Sequence, residues 1–352
     1  MSETIRIIII EDDEQQKNMY RDAIEEFNYE NGVYVFESVM MNDDENLPRL
    51  LYEDRCDCLI IDLNWGADDV SNSGNRVIQT IVKNKRVPIV VMSGNLNLLE
   101  EDISDSNFFT KHDRTDLFSD VLNEIVSIYQ TGYTKALGYS GKIDELLNEV
   151  FWKYLSSNIN HWENIVNGTK EKRILRYAIT RINEMLTLEG EKHDDYNAIE
   201  FYIKPSLKDK AFSGDIVIIE DKKYIIISAS CDMEQDNAEY VVMCKIEFNE
   251  IASLLSKVKE DDVKAKDRLR SFVNNAKSRY HLLPPCRIFP GALIDFQQVN
   301  CISREELDEK CSVFASVLPV FAKDIHGRFS QYYGRQGQPQ LNLDDIITFV
   351  KK

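Results

Sequence analysis

Acidic side chains follow two runs of residues that have the composition of buried strands. The run Cys58–Ile61 is followed by Asp62, and the largely apolar run Ile5–Ile10 is followed by Glu11–Asp13. An Ile-rich run of this kind is typical of a strand that is buried on both faces of a parallel sheet. In open parallel sheets, reactive groups lie just beyond the carboxyl ends of the strands. We therefore expect these carboxylates to meet at one sheet edge.

Two further strand-like runs end in other reactive side chains. The run Pro88–Met92 is followed by Ser93 and Gly94, and the run Asn107–Thr110 is followed by Lys111. A hydroxyl group and an ammonium group are thus expected at the same edge as the acids.

Helical spacing of apolar residues separates these runs. It is clearest over residues 14–28, and shorter helical segments are expected near 47–52, 75–82 and 96–101, with a longer one over 113–129. Five βα units in series predict an α/β fold, a doubly wound, flavodoxin-like parallel sheet, because crossover connections are nearly always right-handed.

Residues 3–130 resemble the CheY-like receiver domain of two-component response regulators. The resemblance rests on Glu11-Asp12, Asp62, Ser93-Gly94 and Lys111, each at the end of a predicted strand and in the order of that family. It implies a Mg²⁺ cofactor and a partner sensor histidine kinase. The alternative is that Asp62 caps a loop and that the other acids form a solvated face.

The resemblance also assigns a role to each residue of the predicted site. Asp12 and Asp62 are expected to bind Mg²⁺ directly, Glu11 through water, and Asn64 through its backbone carbonyl, since Mg²⁺ prefers oxygen ligands. Asp62 is the expected phosphoacceptor, a carboxylate nucleophile that forms an aspartyl phosphate.

Two further roles concern the phosphoryl group once it is transferred. Lys111 is expected to neutralise its charge, and Ser93 to donate a hydrogen bond to it. In the family that hydroxyl is coupled to an aromatic residue three positions before the lysine, which is Phe108 here. Ser93 and Phe108 are therefore the predicted switch residues.

The sequence departs from the family pattern next to Lys111 and after Asp62. His112 stands where the family has a proline joined by a cis bond, and a trans bond is expected here because a cis non-proline bond costs roughly 2.5–4 kcal/mol. Gly66 replaces a usual proline, Gly74 lies farther along than the family's glycine, and an acidic insertion surrounds Asp68. We expect an altered lifetime of the phosphoryl group, with Trp65 screening the site from water.

Charge and cysteine content limit the partners. The net charge is −18, and residues 1–131 hold 27 acidic and 11 basic side chains, which leaves a net charge of −2 for the rest. Nucleic-acid binding is disfavoured because no basic face is evident. Seven scattered cysteines without a CxxC pair indicate reduced thiols and a cytoplasmic location. The start is not a signal peptide, and no apolar run reaches the roughly 18 residues of a membrane span.

The pattern divides the chain into four parts. We expect a receiver domain over 1–131, a glycine-containing linker over 132–142, a helical hairpin over 143–190, and an α+β output or interaction domain over 191–352. The last part is expected to hold a small barrel-like sheet, with a hairpin turn at Glu220-Asp221-Lys222-Lys223, and one helix from Ser303 to about residue 325.

Three catalytic or metal-binding alternatives in the second half have weaker support. His161 is compatible with a phosphotransfer histidine, although no kinase motif surrounds it. Asp215, Glu220 and Lys222 resemble a metal-dependent nuclease core, but at a short spacing and on a turn. A zinc set lacks paired short spacings and is less favoured than buried thiols; its members would be Cys231, Cys244, His281 and Cys286.

Together these patterns favour a signalling protein with a phosphorylatable receiver and a non-catalytic C-terminal domain that binds a protein partner not identified by the sequence. Gly214-Asp215-Ile216 and the Ser228–Asp232 segment resemble domains attached to receivers near bacterial defence genes. One possibility is a phosphoryl buffer in a phage-defence phosphorelay, in the manner of Detocs systems. The alternative is an enzyme effector, with a hydrolase or nuclease activity in the C-terminal half.

Overall fold

The computed structural model describes residues 2–53, 55–65, 73–100, 106–158, 169–188, 195–206, 208–335, 337 and 339–351. The chain divides into two compact units, residues 1–191 and 192–352. Each unit has its own sheet and is described separately.

The first unit is built on the predicted parallel sheet. Its strands are β1 (Glu3–Ile10), β2 (Tyr34–Met41), β3 (Cys58–Ile61), β4 (Ile89–Ser93) and β5 (Phe109–Asp113). The flanking helices are α1 (Glu14–Glu30), α2 (Leu47–Glu53), α3 (Ser73–Asn84) and α4 (Phe118–Gln130). The strand order β2-β1-β3-β4-β5, with every neighbour parallel, is that of a flavodoxin-like doubly wound fold.

Both faces of this sheet are buried, which explains the uninterrupted apolar runs. Leu59 and Ile61 point into one hydrophobic core, whereas Cys58 and Ile60 point into the core on the opposite face. Successive side chains of a strand alternate between faces, so a central strand covered on both sides must be apolar throughout.

Two connecting segments differ from the sequence expectation. In place of a helix over 96–101, the structure has a 3₁₀ turn at Leu96–Leu98, and residues 101–105 lie outside the described part. The segment expected to be a linker contains helix α5 (Tyr133–Leu137). This helix is held by an ion pair between Lys135 and Glu3.

The predicted helical hairpin belongs to the first unit. Helix α6 (Lys142–Glu149) continues into a π-helical turn (Val150–Leu155) and a 3₁₀ turn (Ser156–Asn158), and α7 spans Lys170–Leu188. The helices pack through Leu146 and Val150 against Ala178 and Ile182. His161 lies outside the described residues.

The second unit is a seven-stranded sheet with helices. Its strands are β6 (Tyr202–Ile203), β7 (Asp215–Ile219), β8 (Lys222–Ile226), β9 (Tyr240–Glu247), β10 (Tyr280–Leu283), β11 (Ala292–Ser303) and β12 (Ser312–Val317). Its helices are α8 (Ser230–Glu234), α9 (Asn249–Lys259), α10 (Val263–Val273), α11 (Arg304–Lys310), α12 (Pro319–Gly334) and α13 (Leu343–Val350), and a 3₁₀ turn (Ala198–Phe201) precedes β6.

The antiparallel sheet is open where a barrel-like sheet was expected. Its order is β10-β11-β9-β8-β7-β12-β6, and among the described residues no backbone ladder joins the two edge strands. The Tyr202 hydroxyl of β6 donates to the Pro284 carbonyl, just after β10, at 2.8 Å.

Two local predictions in this unit have different outcomes. Ser303 caps a helix as expected, with its hydroxyl accepting from the Glu306 N–H, but that helix ends at Lys310. The expected continuation to residue 325 is wrong, because Ser312–Val317 forms a strand paired with β6 and β7. Within the part of the chain that the structure describes, no helix combines the length and apolar composition needed to cross a membrane.

Candidate acidic site at the sheet edge

Strand register brings the acids of β1 and β3 together. Ile10 is paired with Ile61, and the Asp62 N–H donates to the Ile10 carbonyl at 3.0 Å. The residues that follow these strands therefore lie side by side. One oxygen of each of Glu11, Asp12 and Asp62 lies within 4.8 Å of the others, as the sequence predicted for these three.

The acids differ in exposure. Glu11 and Asp62 are 1% and 4% exposed, whereas Asp12 is open to solvent. Asp13, the next acid along, has a structural role: its carboxylate caps helix α1 by accepting from the N–H groups of Gln15 and Gln16. The buried pair and Asp12 thus form the site.

Arg114 also lies at this site, although the sequence did not predict it. Its Nη2 lies 2.9 Å from Asp62 Oδ2 and 3.2 Å from both carboxylate oxygens of Glu11. The Arg114 N–H donates to the Ser93 carbonyl at 3.2 Å, which fixes the backbone just after β5. The only local signal is a basic residue in the turn Asp113-Arg114-Thr115.

Burial controls the titration of the two inner carboxyl groups. It raises the pKa of Glu11 to about 7, and the negative charges of Asp62 and Asp12 act in the same direction. Burial also raises the pKa of Asp62, while the Ser93 hydroxyl and the Arg114 guanidinium oppose that shift. These shifts follow from removing carboxylates from water next to like charges.

The donor set fits a small divalent cation. Mg²⁺ binds oxygen ligands at about 2.1 Å, so two of its ligand atoms lie at most about 4.2 Å apart, close to the spacing of these acids. Asp62 Oδ1 is buried and has no hydrogen-bond partner, although buried acceptors are normally satisfied. That oxygen is therefore available to a cation or to an incoming electrophile.

Ser93 lies where the sequence placed it. It ends β4, is 3% exposed, and its hydroxyl group interacts with the Asp62 carboxylate. The strand-end arrangement of Asp62 and Ser93 is thus the same as that expected from the order of the motifs.

Lys111 lies inside β5 and not at its end. It is half-buried and pairs with Val91, whereas Asp113 pairs with Ser93. Its ammonium group is 5.9 Å from the centre of the Phe109 ring. Strand β5 continues through His112, which pairs with Met92. Among the described residues the only cis peptide bond joins Lys204 and Pro205, so the bond before His112 is trans, as predicted.

Phe108 is not brought to Ser93. It precedes Phe109, which pairs with Ile89 at the opposite end of β4, so roughly 15 Å of strand separates the two switch candidates at about 3.3 Å per residue. Its ring is 43% exposed and makes an edge contact with Tyr133 at 5.5 Å. In this conformation Ser93 and Phe108 are not in contact, and their coupling stays a prediction.

Gly74 packs directly against the backbone of Asp62 and Leu63. A Cβ atom at this position would lie 2.6 Å from Leu63 Cα and 2.8 Å from the Asp62 carbonyl oxygen. Asn64 is exposed, and Trp65 is buried in the hydrophobic core. Gly66 and the acidic insertion around Asp68 lie outside the described residues.

The nuclease-like and zinc alternatives proposed for the second half do not assemble among the described residues. Asp215 begins β7, whereas Glu220 and Lys222 lie at the far end of the β7–β8 hairpin. Among described residues, the acidic cluster of the first unit is the only group of histidine, cysteine or acidic side chains with ligand atoms this close, so the zinc candidates are not gathered. All seven cysteines are free thiols.

Comparison with known proteins gives partial likenesses. No protein-family model matches, and no curated protein matches. A CheY-like receiver domain from Methylobacillus flagellatus is 16% identical, covers 36% of this chain and 99% of its own, and has a TM-score of 0.28. The receiver domain of an HD domain-containing protein from Pseudomonas fluorescens Pf-5 is 12% identical over 38% and 99% of the two chains, with a TM-score of 0.29.

A longer match is the RcsB response regulator of Salmonella typhimurium, which is 18% identical and covers 51% of this chain and 93% of its own, with a TM-score of 0.29. These are similarities to part of the chain only.

Proposed function

We propose that residues 1–131 are a receiver domain and that Asp62 accepts a phosphoryl group in a response-regulator-type signalling reaction. The observation that carries this proposal is Asp62 Oδ1: a buried carboxylate oxygen without a hydrogen-bond partner, beside two other acids at a sheet edge. A carboxylate in such a position is a nucleophile that is positioned for attack.

The proposed step uses a phosphohistidine of a sensor kinase as donor. A bond forms between phosphorus and Asp62 Oδ1 while the phosphorus–nitrogen bond breaks, and the leaving imidazole keeps the electron pair and takes up a proton. Mg²⁺, held by Asp12 and Asp62 with Glu11 nearby and the Asn64 carbonyl as a further ligand, would supply neutralising charge. Ser93 would then donate a hydrogen bond to the bound phosphoryl group.

Arg114 gives this receiver a cation of its own at the acids. Its guanidinium offsets the repulsion between Glu11 and Asp62, and it lies where positive charge is needed during transfer. Lys111, half-buried within β5, remains the second cation predicted for this role.

The experiment that tests the proposal is incubation of the full chain with acetyl phosphate or phosphoramidate, with and without Mg²⁺. Intact-mass analysis should show one added phosphoryl group in the presence of Mg²⁺ and none for Asp62→Asn. Asp57→Asn is a matched control for a buried acid near the same strand, because Asp57 is held by Arg55 away from the cluster. Equal labelling of the wild type and of Asp62→Asn would exclude Asp62.

For the second unit we propose an output or interaction role with a protein partner. Phosphoryl buffering in a phage-defence phosphorelay, and the alternative of a receiver-controlled hydrolase or nuclease, stay predictions of the sequence. A pull-down that compares the wild type with Asp62→Ala, both treated with the donor, tests whether partner binding depends on phosphorylation.

A further inference from the structure

The second unit contains a cavity of about 520 Å³ that none of the roles above uses. It lies between strand β12, the start of β7 and the first turns of helix α12. Its volume falls in the range of small-molecule sites, which are typically about 300–1,000 Å³.

The polar residues of the cavity are biased toward positive charge and hydroxyl groups. Lys208, Lys323 and His326 line it, with Asp215 as the single acid. Four serine residues also line it: Ser206, Ser213, Ser230 and Ser316. This composition contrasts with the net charge of −18 of the whole chain.

Asp215 is buried in the cavity wall and is already held by neighbouring donors. It is 3% exposed, and its Oδ2 accepts from the Phe212 N–H at 2.7 Å. Burial raises the pKa of its carboxyl group, whereas the Ser316 hydroxyl, the Phe212 N–H and the Lys208 charge oppose that shift. The cavity thus sets two lysine side chains against one carboxylate.

The turn before β7 and helix α12 are held close together. Gly214 has φ = +83°, and a Cβ atom there would lie 3.1 Å from Ala322 Cβ, so the turn approaches the helix closely. Ser213 Oγ is thereby brought to 3.0 Å from His326 Nε2. Residues that are 113 positions apart in sequence thus form one wall.

The hydrogen bonds of this wall suit binding better than catalysis. Ser213 Oγ lies 2.6 Å from the Ser228 carbonyl, which can only accept, so the hydroxyl proton is directed there and away from His326. A serine nucleophile would need the opposite arrangement, with its proton aimed at the histidine. Ser213 Oγ and His326 are instead polar groups fixed at the cavity surface.

The remaining wall is apolar. Ile203, Phe212, Val317 and Pro319 line it. A ligand that fills the site must therefore have a polar anionic end and a less polar body. The first turn of α12 also faces the cavity, and the positive end of a helix dipole favours an anion.

We propose that this cavity binds a small molecule with a phosphomonoester group and an apolar or planar body of about mononucleotide size. The phosphate would contact Lys208 and Lys323, and the body would lie on the apolar wall. This proposal is independent of phosphorylation at Asp62.

The test is calorimetric titration of the full chain with AMP, adenosine and inorganic phosphate, in EDTA so that no divalent cation bridges ligand to the acidic site. AMP should bind at one site, adenosine at least tenfold more weakly, and the AMP affinity should fall with rising salt. If inorganic phosphate binds as tightly as AMP, the ligand of the cavity is free phosphate and not a phosphomonoester.

Variants locate the site. Lys208→Ala and Lys323→Ala, both at exposed positions, should each weaken AMP binding about tenfold. Lys210→Ala is the matched control, because Lys210 is exposed nearby but pairs with Asp308 outside the cavity. AMP binding should be unchanged in Asp62→Asn, which would show that this site is independent of Asp62.

The proposal is overturned if neither AMP nor phosphate binds the wild type at millimolar concentration. It is also overturned if adenosine binds as tightly as AMP, or if the lysine variants bind AMP like the wild type.

Discussion

Arg114 holds Asp62 through a contact of 2.9 Å between Nη2 and Oδ2, and the same nitrogen contacts both oxygens of Glu11. A guanidinium thus lies beside the carboxylates that would hold the proposed Mg²⁺. The arginine and a bound Mg²⁺ would compete for the same negative charge.

Removing this cation should strengthen metal binding. Arg114→Ala is expected to lower the Kd for Mg²⁺ about tenfold, because a hydrogen bond to a charged group contributes about 1.5–3 kcal/mol and 1.4 kcal/mol is a factor of ten. Fluorescence of Trp65, three residues after Asp62 and buried, is one means of following the titration. Arg76→Ala, which removes an exposed pair with Asp44, serves as control and should leave the Kd unchanged. Weaker Mg²⁺ binding in Arg114→Ala would contradict competition.

Glu11 should make the first unit less stable as pH rises. Its pKa in the folded chain is about 7, against 4.5 in the unfolded chain, so between these values the folded state binds more protons. The free energy of unfolding therefore falls from pH 4.5 to 7, by up to about 3 kcal/mol from this group at about 1.4 kcal/mol per pKa unit. Urea unfolding of the wild type and of Glu11→Gln at several pH values measures this contribution, because the glutamine side chain does not titrate. If the free energy of unfolding changes with pH in the same way in both proteins, Glu11 is not the cause of the change.

Gly74 should be intolerant of any side chain. In Gly74→Ala the new methyl group would meet the backbone of Asp62 and Leu63, and overpacking of this kind costs about 1–3 kcal/mol. We expect a lower midpoint of denaturation and slower phosphorylation, since the nucleophile shifts with its backbone. Gly32→Ala, at a position with no atom within 4 Å of the added Cβ, should change neither by much.

The two switch candidates should behave differently. Ser93→Ala removes a hydroxyl group beside Asp62 and should slow phosphorylation by acetyl phosphate about tenfold, as expected for the loss of a hydrogen bond to a charged group. Phe108→Ala, at the opposite end of the sheet, should leave the rate within twofold. Rates are measured by quenched-flow mass analysis. An equal loss in both variants would show that they are coupled in spite of their separation.

The strand ends of the first unit could be predicted because they depend on local sequence. A central parallel strand must be apolar on both faces, so the first polar residue after each run marks the sheet edge, and Glu11, Asp12, Asp62 and Ser93 were placed in this way. The first polar residue does not mark the end of a strand whose last residues are themselves polar. Strand β5 therefore runs on past Lys111 to Asp113.

In the second unit, one strand was missed for a related reason. Ser312–Val317 follows a capped helix without a glycine or proline break, and it becomes a strand because it pairs with β7 and β6. β-structure depends on partners that are distant in sequence, so a single segment carries little information about it.

The sequence by itself predicted that Glu11, Asp12, Asp62 and Ser93 meet at one sheet edge and that five βα units form a doubly wound sheet, because side-chain periodicity and the handedness of crossovers are local rules. Only the tertiary structure decided that Arg114 reaches the acids, that Phe108 stays away from Ser93, and that Ser213 and His326 share a cavity wall. These relationships depend on strand register and on close approach between distant segments, for which neighbouring residues in the chain provide no constraint.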